Sequence, residues 1–216
     1  MNSSYQIGDY EKTYLDFQLN VPERYNWAYE VFDKWGNDPN KIAMVWVSNN
    51  GESRNVTFRE FGKRSCKVAN MLSGLGANPG DKIFVMLPRL VEWWEIFLGC
   101  MRSLTVPVPG TTLLTPKDIE YRINVSNSSI AIVDADNLDK IESVRDQCPS
   151  LKHILVIGKT TSPFEYENLL KSASPYLENP QNLSSDPLVL YFTSGTTGFP
   201  KMVMNTHASY PIGHVI

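Results

Sequence analysis

Apolar positions along the 216 residues fall into two alternating rhythms: short β-branched runs that predict strands, and stretches with an apolar residue every three or four positions that predict helices. Residues 1–23 form a polar, Tyr-rich arm. Asn26 is then placed to cap a helix carrying Trp27, Ala28, Val31, Phe32 and Trp35 on one face and ending at Gly36 and Asn37. KIAMVWV (41–47) reads as a buried strand, Asn49-Asn50-Gly51 as a turn, and 54–56 as the return strand of a hairpin. Thr57 and Glu60 have the spacing of a capping box, in which each side chain takes up the other's free backbone N–H, opening a helix to about Gly76.

The same alternation continues. A turn at Asn78-Pro79-Gly80 leads to a strand over 82–87, a helix over 91–103 and a strand over 105–108 closed by Pro109-Gly110. Thr115-Pro116 with Asp118 starts another helix, Thr115 as cap and Pro116 at the first helical position. Strands at 129–133 and 153–157, helices at 138–147 and 164–173, and a Ser/Pro/Asn-rich loop over 172–186 lead to a strand over 187–193. Apolar strands alternating with amphipathic helices predict an α/β fold: a mostly parallel sheet flanked by helices on both faces.

Composition narrows the function. Hydrophobic residues make up 42% and charged residues 20%, ordinary for a chain that buries a core, and the net charge of -3 is spread without a basic stripe. That argues against nucleic acid as a partner. The most apolar stretch, 93–108, is interrupted by Glu95, Arg102 and Pro107 and falls short of the roughly 18 to 20 residues of a membrane span. The first 25 residues lack the basic start and apolar run of a targeting segment, so the expected compartment is cytoplasmic. Cys66, Cys100 and Cys148 are too widely spaced to form a metal or redox motif and read as buried reduced thiols; His153, His207 and His214 form no metal pattern either. His207 has two open readings, a place near substrate or a structural role at a helix start. No metal site is expected in the chain.

The chemistry concentrates in Thr193-Ser194-Gly195-Thr196-Thr197-Gly198-Phe199-Pro200-Lys201, directly after a predicted strand. Glycines let backbone N–H groups approach oxyanions, hydroxyls donate further hydrogen bonds, and the ammonium adds charge, a composition suited to a polyphosphate. The order is not that of the common nucleotide loop, which needs glycine before the lysine and a hydroxyl after it; here Pro200 and Met202 stand there. A generic nucleotide hydrolase is thereby disfavoured.

The full string from Tyr191 to Lys201 resembles the phosphate-loop signature of the adenylate-forming superfamily, which includes acyl-CoA synthetases, firefly luciferase and peptide-synthetase adenylation domains. Residues 56–61 look like the family's first core motif, and CMRSLTVPVPG (100–110) like its second. Leu87-Pro88-Arg89, Glu92-Trp93-Trp94, Pro109-Gly110-Thr111-Thr112 and Thr115-Pro116-Lys117-Asp118 most resemble medium-chain acyl-CoA synthetases, against a peptide-synthetase module. Two positions depart: Leu104 stands where the second motif has a small residue or glycine, and Met202 where many members have glycine.

The resemblance implies that residues 24–216 are the N-terminal portion of an AMP-binding domain, the first part of the large N-terminal domain of such an enzyme. It implies an acid-thiol ligase of fatty acid metabolism that uses ATP, Mg2+, a fatty or other carboxylic acid and CoA. Thr193, Ser194, Gly195, Thr196, Thr197, Gly198 and Lys201 would bind the ATP phosphates; no catalytic residue falls within this stretch, and the chain alone is expected not to turn over. The uncharged run 208–216 has no helix stop and reads as a cut. The other reading is a short, non-catalytic interaction module that self-associates through exposed apolar surface.

Overall fold

The computed structural model describes residues 10–194 and 198–213. The chain opens with a short, exposed helix, α1 (Tyr10–Asp16), within the arm where no element was expected. A π-helical turn, Ala28–Phe32, runs into α2 (Asp33–Trp35). Asn26 caps it as expected, its Oδ1 accepting from the Ala28 N–H at 3.2 Å, and the wide turn rather than a regular helix buries Ala28 and Phe32. The hairpin β1 (Ile42–Val47) and β2 (Ser53–Thr57) follows, with Gly51 at φ +85 in its turn. The expectation that residues 41–47 are buried is corrected: Ile42, Val45 and Val47 are exposed, because this two-stranded ribbon is covered on one face only.

Helix α3 (Phe58–Gly74) starts at Thr57, whose hydroxyl accepts from the Glu60 N–H at 3.1 Å. Only that half of the expected capping box forms; the Glu60 carboxylate turns to Arg54 at 2.5 Å. Next come β3 (Lys82–Met86), α4 (Val91–Ser103), β4 (Val106–Gly110), α5 (Pro116–Ser126), β5 (Ile130–Asp134), α6 (Leu138–Glu142), β6 (His153–Ile157) and α7 (Tyr166–Ser172). At α5 the reciprocal capping box forms in full between Thr115 and Asp118. The continuous helix expected over 138–147 is broken: after α6 the backbone tightens, Val144 bonding back three residues to Ile141, and a 3-10 turn covers Arg145–Gln147.

Strands β3 to β6 form one parallel sheet in the order β4-β3-β5-β6. The pleat sends alternate residues to opposite faces. Ile83, Val85, Ile130, Ile132, Leu155 and Ile157 pack under α3, α4 and α7. Phe84, Met86, Ala131, Val133, Ile154 and Val156 pack under α5 and α6. Both faces are covered, as the apolar strands predicted. Strands β7 (Pro187–Thr193) and β8 (Lys201–Thr206) make a separate antiparallel hairpin, with β7 packed beside β4, and α8 (Ser209–Ile212) closes the described chain.

Two helix details fix α4. Gly99 faces α3 so closely that a Cβ there would lie 2.5 Å from the Val68 side chain. Leu104, at the C-cap, holds φ 59 and ψ 21, the left-handed conformation that explains why the second motif usually carries glycine at this point. The helix-strand geometry is therefore kept despite the leucine, at a backbone cost of about 1–2 kcal/mol. Gly99→Ala is expected to lower the unfolding free energy by about 1–3 kcal/mol in urea titration, since the added methyl must push whole helices apart.

Candidate functional site

The Ser/Thr/Gly string forms the connection of the β7–β8 hairpin. Thr193 and Lys201 are its last paired residues, directly opposite in register, with the Thr193 hydroxyl 3.4 Å from the Lys201 carbonyl. Directly opposed residues share one sheet face, so both lie on the side of Tyr191 and Val203. Thr193, Ser194 and Lys201 are exposed. No ion pair among the described residues engages Lys201. Gly198 takes φ +94, with open space where a Cβ would stand, so glycine serves the backbone conformation and not a close approach. Gly195, Thr196 and Thr197 lie outside the described residues, as does His214.

Strand β8 was not anticipated from sequence. Its cue was Met202-Val203-Met204, an apolar run directly after the lysine that pairs with Leu190, Tyr191 and Phe192. Strand β7 is anchored in two cores: Leu190 and Phe192 join the cluster under α5, while Leu188, Val189 and Tyr191 join a third cluster with Phe61, Phe97 and Met101. Burial, and a hydrogen bond with Tyr210, push the Tyr191 phenol well above its ordinary value.

The site's surroundings hold one side chain that sequence reasoning passed over, Tyr121, and one that it left open, His207. On α5, the Tyr121 hydroxyl donates to the Pro200 carbonyl at 3.0 Å. Its ring stacks on Phe199, centroids 4.8 Å apart. His207 follows β8 and precedes α8; it is 1% exposed, which favours the structural of its two readings. Its backbone N–H donates to the Asp186 carbonyl at 3.0 Å, and neither ring nitrogen finds a partner among the described residues. The three cysteines are buried free thiols, and burial pushes Cys100 up to about 12. Among the described residues no group of three His, Cys, Asp or Glu stands ready to hold a metal ion.

A family model described as AMP-binding enzyme matches residues 31–213 of the 216. The chain belongs to the AMP-binding enzyme family. It is similar to human acyl-coenzyme A synthetase ACSM5, mitochondrial, at 40% identity over 97% of this chain and 38% of the relative. It is also similar to human acyl-coenzyme A synthetase ACSM3, mitochondrial, at 35% over 96% of this chain and 37% of that protein. The fold matches the anthranilate CoA ligase AuaEII solved with anthranoyl-AMP, TM-score 0.79 and 29% identity over 89% of this chain and 36% of that one. It also matches the Brucella canis acyl-CoA synthetase, TM-score 0.78 and 24% identity, over 92% of this chain and 36% of that one. This AMP-binding chain thus spans less than two fifths of the length of the curated relatives it matches. Among its described residues no helix is long and apolar enough to cross a membrane. The expected cytoplasmic location finds no support in these relatives, whose names place them in mitochondria.

His207 gives the site a measurable pH signature. Burial lowers its pKa to about 4 from 6.5, against a smaller upward pull from Asp186. A base with a depressed folded pKa takes up its proton in the unfolded chain first, so stability present above pH 6.5 is lost as pH falls toward about 4. Chemical denaturation across that window should show His207→Gln with a shallower acid-side slope, by about 1.4 kcal/mol per pH unit, than the unsubstituted chain.

Proposed function

We propose that this chain supplies the phosphate-binding part of an AMP-forming acyl-CoA synthetase, with residues 24–216 as the N-terminal portion of its AMP-binding domain and 1–23 as an arm. The observation that carries the reading is the Thr193–Lys201 hairpin: a hydroxyl- and glycine-rich connection with, at its base, an ammonium that no ion pair among the described residues engages, in a chain of the AMP-binding family. In the reaction, a carboxylate oxygen attacks the α-phosphorus of ATP, the bond to the β-phosphate oxygen breaks, and acyl-AMP and pyrophosphate form. The CoA thiol then attacks the acyl carbon, loses its proton and displaces AMP.

Like charges oppose the first step, because an anionic carboxylate approaches a polyphosphate. Lys201 offsets charge on the departing pyrophosphate, and the Thr193 and Ser194 hydroxyls donate to its oxygens. Gly195, Thr196, Thr197 and Gly198 complete the cradle with backbone N–H groups and hydroxyls. The described residues offer no ligand cluster for Mg2+, so no role in the step is assigned to a protein-bound ion. The acid is a fatty or other carboxylic acid, and the cytoplasmic location belongs to this proposal, with cell fractionation as its check.

A second reading, a short non-catalytic interaction module, draws on the apolar surface. A cavity of about 640 Å3 is lined by Tyr25, Trp27, Phe61, Phe97 and Met101, and Val45 and Val47 stand exposed on the uncovered face of β1. An immunoblot of source cells against the 136–148 peptide separates the two: a band of more than twice 24.4 kDa supports the synthetase, and one at 24.4 kDa supports the module.

The 216-residue chain by itself is expected to bind ATP at millimolar strength or weaker and to release no pyrophosphate. Ordering a mobile loop residue costs about 1–2 kcal/mol, and each charge-assisted hydrogen bond returns about 1.5–3 kcal/mol, leaving a balance near zero. Micromolar binding in calorimetry would refute this. In the synthetase that carries this chain, Lys201→Ala should lower kcat/KM for ATP by about ten- to a hundredfold, the worth of one such charged contact.

A further inference from the structure

We propose that Tyr121 of α5 is a positioning residue that fixes the distal limb of the loop, Gly198 to Lys201, and so the backbone from which the Lys201 ammonium projects. This rests on the reading of the loop as the phosphate cradle. The Tyr121 hydroxyl donates to the Pro200 carbonyl, which belongs to the same peptide unit as the Lys201 N–H. Holding that carbonyl therefore orients the lysine's own backbone plane. The other side of Lys201 is held by its pairing with Thr193.

The ring contacts act in the same place. Tyr121 stacks on Phe199 at an interplanar angle of 22° and meets Phe192 of β7 edge-on at 6.1 Å. Arg122, the next residue of α5, lies over the Phe192 ring at 5.1 Å. Phe199 is 65% exposed, so its contact with Tyr121 is not part of a core that the fold would need anyway. Helix α5 is a firm base for such a clamp, because Ile119 and Ile123 are fully buried and Thr115 and Asp118 cap it reciprocally.

The limb itself is stiff at one point and free at another. Pro200 has a ring-locked φ, and its carbonyl is bonded to Tyr121. Gly198, at φ +94 with nothing around it, is the pivot. Tyr121 thus clamps the segment Phe199 to Lys201, with Gly198 as its upstream limit.

The test is amide hydrogen exchange on the 216-residue chain, reading peptides over residues 198–206 with β5 peptides and the thermal midpoint as controls. Tyr121→Leu, and separately Phe199→Ser from the loop side, should speed exchange over 198–206. The expected factor is about five- to a hundredfold in Tyr121→Leu, what one hydrogen bond and one aromatic pair together stabilise, and about two- to tenfold in Phe199→Ser, which loses the pair alone. The midpoint should fall by no more than those same contacts stabilise, and β5 amides that exchange by local opening should stay unchanged. Tyr121→Phe keeps the stack and should restore most of the protection, leaving about a two- to tenfold effect. Unchanged loop exchange in Tyr121→Leu, or equal acceleration through β5, would overturn the proposal. The readout needs no ATP; adding Mg-ATP tests the cradle separately. Added protection of 193–201 that weakens in Tyr121→Leu supports both readings. A Tyr121-dependent limb that Mg-ATP leaves unprotected keeps the clamp, and the nucleotide reading is then decided by Lys201→Ala kinetics in the synthetase that carries this chain.

Discussion

A parallel sheet whose strands carry apolar side chains on both faces must be covered twice, and the rest of this molecule follows from meeting that demand. Odd-numbered residues of β3 and even-numbered residues of β5 face α3, α4 and α7, while their neighbours face α5 and α6. Because parallel strands need crossovers, the covering helices are also the connections. Helix α4 joins β3 to β4 on one face, and α5 joins β4 to β5 on the other, so strand order turns back at β3. This reversal brings α5 alongside β7, where Tyr121 meets the loop.

The covering helices carry charge where their own sequence reads as apolar. Glu95 and Arg102 lie within α4 and are both buried. Each is answered from a different element. Arg64 of α3 holds Glu95 at 2.5 Å and also pairs with Glu167 of α7, and the Tyr166 hydroxyl donates to the remaining Glu95 oxygen at 3.2 Å. Burial pushes the Glu95 carboxyl up while Arg64 pulls it back. Arg102 takes both oxygens of Asp33, donates to Ser65 at 2.8 Å and lies 4.7 Å over the Tyr29 ring. Such pairs add little net stability over apolar contacts, but removing one partner leaves a buried charge at a cost of about 3–5 kcal/mol. They therefore fix which helix sits against which: α3, α4 and α7 in one triad, and the N-terminal turn against α4.

Elements set by local rules were legible before the structure. Helix α4 lies on its expected bounds, β6 and β7 likewise, and the Thr115 cap works as its spacing implied. Elements decided by distant partners were not. Whether β1 is buried depends on what covers its second face, which no periodicity in KIAMVWV records. Even six residues sufficed to defeat a spacing rule: Glu60 left its capping box for Arg54, which offered a charged partner. Leu104 departed from the motif's small residue or glycine and proved to be a left-handed residue, since a motif's glycine can mark conformation as well as space. In the loop, the lysine and hydroxyls were visible as chemistry, while β8 was hidden because no strand was read in the apolar run after the lysine.

That last point bears on how the loop works. A Ser/Thr/Gly string is chosen for donors and for freedom, and freedom by itself opposes binding, because each ordered residue costs conformational entropy. The fold limits the cost by closing the string into a hairpin whose first strand is shared between two cores and whose last residues rest on α5. On the proposed reading, the paired and clamped residues Phe199 to Lys201 then add little to the ordering cost of binding. On the proposed reading the backbone of Lys201 is paired and clamped beforehand, so only its exposed side chain has to order to bring the ammonium to a phosphate. A loop of the same composition on a free chain would have the same donors and a far higher cost of using them.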